Sequence, residues 1–281
     1  MARAEALGLG ASNPDPVFIA WLCNAKAFFE LTRGAVGPGL DWLSEARVVA
    51  ERSGAGLARV MTWLYYVSAL VQTGHLERAT AAAKELESFC EPLGLLTPLD
   101  WNCFFLSMGQ IAVGEAQAAI APLRGLLGRD DQYLVANTRS ALALALHACG
   151  DEERALQEAS AAQQHAAFPW HETTALRSLS LLELDAGRPA RALVQAERGI
   201  TVAESGSFAL NTSRLLLTRA EALRALDRSV EAREAICHAR DSLLQVAAGI
   251  RDQELRTSFL ARVRVHARTL QLANDWVAKD A

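Results

Sequence analysis

Residues 63–86 read WLYYVSALVQTGHLERATAAAKEL, and this stretch decides the fold. Trp63, Tyr66, Val67 and Leu70 recur at the spacing of one helix face, and so do Leu76, Ala79, Ala83 and Leu86. Between the two sets stands Gly74, a residue free to adopt the left-handed conformation of a tight turn. Ala79 and Ala83 are small enough to let the second helix lie close against the first.

The pattern returns along the chain. Hinge residues fall at Gly74, Gly114, Gly150, Gly187 and Asp227, and an alanine follows each by five positions, at Ala79, Ala119, Ala155, Ala192 and Ala232. Spacings of this size signal stacked helical hairpins. One hairpin cannot bury its apolar face alone, whereas stacking on a neighbour does so. The expected fold is all-α, an open right-handed α-solenoid. Its hairpins are predicted over 16–54, 57–91, 98–127, 131–167, 170–205 and 209–248, in a single domain spanning 1–281.

Local signals mark the joints. Asp15-Pro16 reads as a cap and a first helical residue, and Thr97-Pro98 does likewise. Gly34 to Gly39 reads as a turn, Asp130 and Asp131 suit a helix N-terminus, Pro169 breaks the chain, and Ser229 is a candidate cap. Met1 to Gly8 looks like the last turns of a helix, as if the chain were cut from something longer. A final capping helix is predicted over 252–277, with Leu255, Phe259, Val263, His266, Leu270, Ala273 and Trp276 on one face. Its arginines, Arg251, Arg256, Arg262, Arg264 and Arg268, form either a solvated face or a patch for a phosphate or an acidic partner.

Composition narrows the function classes. The chain has 281 residues, 51% apolar, a formal net charge of −4 and no run of alternating β-branched residues. It lacks the broadly basic face of a sequence-independent nucleic-acid binder. No N-terminal apolar core suggests a secretory signal, and no apolar run approaches the ~20 residues of a membrane helix, so a cytoplasmic location is expected. The five cysteines, Cys23, Cys90, Cys103, Cys149 and Cys237, are scattered and read as buried reduced thiols.

The hinge glycine, the alanine five later and Trp63 eleven residues before Gly74 resemble the tetratricopeptide repeat. Ala143, Ser180 and Ala220 fit the small-residue position of that repeat's first helix. The other tryptophan positions hold Cys103, Arg139, Leu176 and Leu216, and most closing prolines are missing. From about Thr173 to Val277, with SRLLLTRAEALRAL and IRDQELRTSFLARVRVHARTLQLANDWV, the chain resembles the C-terminal repeat region of large myxobacterial-type Ser/Thr protein kinases and signal-transduction NTPases. The resemblance implies the partner-binding region of a bacterial signalling protein. It carries no catalysis over, since neither the phosphate-binding loop nor the kinase motifs are present. Two alternatives are a C-terminal fragment of a kinase or ATPase whose catalytic domain is absent, and the sensor part of a transcription regulator. An RNA-reading helical repeat would need paired polar residues at fixed places, and these vary here without pattern.

Few residues suggest catalysis, a cofactor or a metal. His165, His171 and Glu172 flank Pro169-Trp170 but straddle a helix break, unlike the fixed spacing of a metal motif. His147 and Cys149 precede a turn, and Cys237 and His238 point about 100° apart on one helix. No catalytic residue, cofactor or metal ligand is assigned, and a non-enzymatic interaction scaffold is expected. The candidate site is the groove lined by first helices. Its predicted partner-binding residues are Trp101, Phe104, Met108, Asn137, Ser140, Thr174, Arg177, Arg214 and Glu221, alongside Met61, Leu64, Ser68, Gln72 and Leu144. The first half of the groove is apolar and the second polar. A peptide or protein segment is the expected partner, its apolar side chains in the first half and a carboxylate near Arg177 or Arg214. Trp101, Phe104 and Met108 are also of the type that simply packs between hairpins.

Overall fold

The computed structural model describes residues 15–205 and 212–278. Among these residues are fourteen α-helices and no strand. The first three hairpins are α1 (Pro16–Thr32) with α2 (Val36–Ser53), α3 (Gly56–Gln72) with α4 (Leu76–Cys90), and α5 (Leu96–Val113) with α6 (Ala116–Leu126). The next three are α7 (Gln132–Ala148) with α8 (Glu152–Gln164), α9 (Pro169–Asp185) with α10 (Pro189–Ser205), and α11 (Thr212–Ala225) with α12 (Ser229–Ala248). Two further helices, α13 (Gln253–Ala261) and α14 (Arg264–Ala278), complete the described chain. The helix expected over residues 1–8 lies outside the described residues.

The hinge chemistry follows the sequence. Gly74, Gly114, Gly150 and Gly187 all have positive φ, and Asp227, at φ 59°, is the one non-glycine with positive φ among the described residues. Aspartate tolerates the left-handed region because its short polar side chain bonds locally. Ala79, Ala119, Ala155, Ala192 and Ala232 are fully buried. A larger side chain at any of them would push the paired helices apart. Asp15 caps α1 through the Val17 amide, and Asp131 caps α7 through the Tyr133 and Leu134 amides.

Each first helix packs on its own partner and also on the neighbouring first helix: α1 on α3, α3 on α5, α5 on α7, α7 on α9 and α9 on α11. The first helices therefore form an inner wall, and the second helices an outer layer.

Several boundaries differ from expectation. Gly37 and Gly39 belong to α2 rather than to a turn. They are small because of crowding: a Cβ on Gly37 would lie 1.8 Å from the Gly249 carbonyl oxygen, and one on Gly39 would lie 2.8 Å from Leu31. Ser229 is the first residue of α12, and its side chain caps nothing. The capping helix is two helices, because the fully buried Val263 plugs the Gly74 turn and the chain bends there. The bend sends α14 back along α12 and α11 and against α5.

The solenoid is closed rather than open. One hydrophobic cluster joins Val67, Leu70 and Ala79 of the second hairpin to Leu243 and Ala247 of α12 and to Leu255 and Phe259 of α13. Apolar side chains at both ends of the array share one core, and burying them together outweighs leaving two exposed ends. Ion pairs decorate the seam. Arg78 Nη1 lies 2.9 Å from Asp252, Arg262 Nη1 2.9 Å from Glu77, and Arg251 Nη1 3.2 Å from Asp41. His75, buried at the hinge, meets Glu254 at 2.9 Å. Arg268 pairs with Glu221 of α11. Arg78, Arg251 and Arg262 bridge the two ends of the array, Arg268 holds α14 to α11, and Arg256 and Arg264 are exposed. Exposed pairs contribute only about 0–1 kcal/mol apiece, so the shared apolar cluster does most of the closing.

Candidate binding cavity

Closure turns the groove into a central cavity that is partly open to solvent. One wall is apolar, with Val71 of α3, Phe104, Phe105, Met108 and Ala112 of α5, and Leu243 and Val246 of α12. Polar lining comes from Asn137 and Ser140 of α7, Thr174 and Arg177 of α9, and Ser213 and Arg214 of α11, with Ser68 and Gln72 of α3 and Ser242 of α12. Trp170 also lines the cavity, its indole N–H donating to Asn137 Oδ1 at 2.9 Å. Phe259 and His266 close the space from α13 and α14.

Seven of the nine candidate residues line this cavity: Phe104, Met108, Asn137, Ser140, Thr174, Arg177 and Arg214. Ser68 and Gln72 join them. Trp101 instead packs edge-on against Phe104 and donates its indole N–H to Asp131 Oδ2 at 3.0 Å, locking α5 to the cap of α7. Glu221 is engaged by Arg268, and burial raises its carboxyl above the usual range. Leu64 belongs to a core cluster with Leu86 and Cys90. Met61 and Leu144 are not among the lining residues. Sequence reasoning missed Trp170, Phe259, His266 and the α12 residues. Trp170, read only as part of the helix break at Pro169, lies in the first turn of α9. The others reach the cavity only because the ring closes.

The cavity's charge is one-sided. None of the lining residues is acidic, yet two are arginines. Arg177 is 5% exposed, and burial together with repulsion from Arg214 holds its guanidinium well below the usual range. Burial lowers Arg214 to about 10. His266 donates from Nδ1 to the Phe259 carbonyl at 2.8 Å, and burial, with Arg214 nearby, takes its pKa down to about 3. The imidazole is therefore neutral, and the positive charge is concentrated on the two guanidiniums.

The remaining candidates disperse. His171 is buried beside Tyr133 and Phe168, while His165 bonds the Ala161 carbonyl. His147 bridges Glu152 and Asp185 as a strut between hairpins. Among the described residues no group of three His, Cys, Asp or Glu side chains could hold a metal ion. Cys23 and Cys90 are buried, but Cys149 is exposed, because it caps the C-terminus of α7 at the Gly150 turn. No helix among the described residues is long and apolar enough to cross a membrane.

The sequence matches no family model and no curated protein. A solved structure is similar in fold: a crystal structure of a Rap protein complexed with competence and sporulation factor. It aligns with a TM-score of 0.65 over 94% of this chain and 78% of that one, at 14% identity. What the two share is an all-α solenoid.

Proposed function

We propose that this chain is a non-catalytic, cytoplasmic interaction module whose central cavity takes a segment of a peptide or protein partner. In this reading it is the partner-binding region of a bacterial signalling protein. One observation carries the reading: first-helix side chains from five hairpins, α3, α5, α7, α9 and α11, converge on one cavity lined by both apolar and polar side chains. Binding sites have this composition, many apolar contacts and a few directed polar groups. The Rap protein of similar fold, complexed with a factor, supports the same use of such an array.

The test is affinity selection from a random heptapeptide library, followed by calorimetric titration of the recovered peptides. Ala112→Trp places an indole in the cavity and should abolish binding without lowering the melting temperature. Equal affinity in that variant refutes the cavity as the site. The kinase, ATPase or regulator context is tested separately by reading the genomic frame upstream of Met1.

A further inference from the structure

We infer that the exposed face of α1 is a self-association surface, on which α1 of a second copy of this chain packs antiparallel about a two-fold axis. The surface lies apart from the cavity, since no residue of α1 lines that space, so losing one leaves the other intact.

Packing is the first observation. Every other first helix is covered on one side by the second helix of the hairpin before it: α3 by α2, α5 by α4, α7 by α6, α9 by α8 and α11 by α10. Among the described residues no helix precedes α1, whose packing partners are α2 and α3. Its remaining side is apolar. Val17, Phe18, Trp21, Ala25, Phe28 and Phe29 fall on one stripe of the helix at the three- and four-residue spacing of a buried face. All six are exposed, Phe29 at 65% and Phe18 at 52%. Ala20, Cys23, Asn24, Ala27 and Leu31, on the other side, are buried. The outermost helix of a solenoid ordinarily turns a polar face to water, and a contiguous apolar face marks an interaction site.

Symmetry is the second, and it names the occupant. The stripe reads alike from either end about a midpoint near Asn24: Phe18 and Phe29 lie outermost, Trp21 and Phe28 inside them, and the small Ala25 at the centre. An antiparallel copy therefore sets Phe18 against Phe29 and Trp21 against Phe28, while the two alanines let the backbones approach. The charges agree. Asp15 caps the start of α1 and Arg33 its end, both exposed. They stand 18 positions apart (33 − 15), five full turns at 3.6 residues each, so they share one flank. A two-fold axis keeps that flank and reverses the helix, which brings Asp15 of each copy beside Arg33 of the other. A parallel pair would set like charges together instead. Four half-exposed aromatic side chains present about 100 Å² each, so two copies bury about 800 Å² of aromatic surface, at the small end of specific interfaces. The dimer is accordingly weak, with a dissociation constant of about 1–100 μM.

The experiment is sedimentation velocity of the full chain from about 1 to about 300 μM. The unsubstituted protein is expected to pass from monomer to dimer across that range. F29E should stay monomeric with an unchanged melting temperature, and V194E, at an exposed position on α10, should dimerise as the parent does. R33E sets two acids side by side and should weaken the dimer about threefold or more. A second measurement holds even if F29E does not fold: a benzophenone side chain at position 29 is photolysed in an equal mixture of isotope-labelled and unlabelled chains. Adducts joining α1 of a labelled chain to α1 of an unlabelled one are expected. A monomer throughout the range, a dimer that survives F29E, or adducts confined to single chains overturn the inference. Dimerisation of R33E equal to the parent's overturns the antiparallel arrangement.

Discussion

Replacing Gly74 with alanine probes the closure of the ring at its tightest point. Gly74 has φ 70°, and an added Cβ would lie 2.8 Å from Val263 Cγ2 and 3.3 Å from the Val263 amide nitrogen. Gly150 has a similar φ of 83°, but nothing lies within 4 Å of the same added atom. Forcing an L-residue into the left-handed region costs about 1–2 kcal/mol, and the smaller unfolded entropy of alanine returns up to about 1 kcal/mol. Gly150→Ala should therefore lose about 1 kcal/mol. Gly74→Ala pays the same backbone term and must also displace the bend between α13 and α14. Overpacking a close-fitted contact costs about 1–3 kcal/mol, so the total should reach about 2–4 kcal/mol. Urea unfolding followed by circular dichroism measures both, with the m-value tracking whether the array still melts as one unit. Equal losses at the two glycines would refute the reasoning, because they would mean that Val263 does not rest on the Gly74 turn in solution.

Three other expectations follow from the same packing. His266 has a folded pKa of about 3 against an ordinary 6.5, so the unfolded chain binds a proton that the folded chain refuses between those values. Stability should be complete above pH 6.5 and fall by about 2 kcal/mol by pH 5, and His266→Gln should remove that slope in urea titrations. His147 behaves oppositely: hydrogen bonds to Asp185 and Glu152 raise its pKa, so its contribution is full at acidic pH and lost as pH rises above 6.5 through the raised value. A melting curve of His147→Gln that keeps the parent's drop between pH 6 and 8 contradicts this. Leu255→Ala, at a site 2% exposed, should cost about 2–5 kcal/mol, whereas Glu77→Gln, whose exposed carboxylate pairs with Arg262 and His75, should shift the urea midpoint far less.

The repeating unit was legible because its causes are local. A positive φ needs Gly or Asp at the hinge, and close helix approach needs Ala five residues later, so both leave a mark at fixed spacing. First-helix positions counted from each hinge place Phe104, Met108, Asn137, Ser140, Thr174, Arg177 and Arg214 around the cavity but also pick out Met61, Leu64 and Leu144, which do not line it. Trp101 was misplaced because an indole serves equally as a groove wall and as a wedge between hairpins, and only the position of Asp131 decides between them. Closure was not legible at all. It depends on superhelical rotation summed over six hairpins, and no short-range pattern records that sum. Gly37 and Gly249, 212 positions apart in the chain, touch backbone to backbone, and in the sequence the first looks like an ordinary turn glycine. The terminal arginines carried the same ambiguity, since their partners Asp41 and Glu77 lie at the far end of the chain.

The most direct measurement is site-specific photo-crosslinking to a peptide recovered by affinity selection. A benzophenone side chain replaces Met108 on the apolar wall of the cavity in one protein and the outward-facing Val194, 62% exposed, in another. The account predicts a covalent adduct at position 108 that Ala112→Trp prevents, and none at position 194. An adduct at position 194 with none at 108 would place the partner on the outer layer and contradict the central claim.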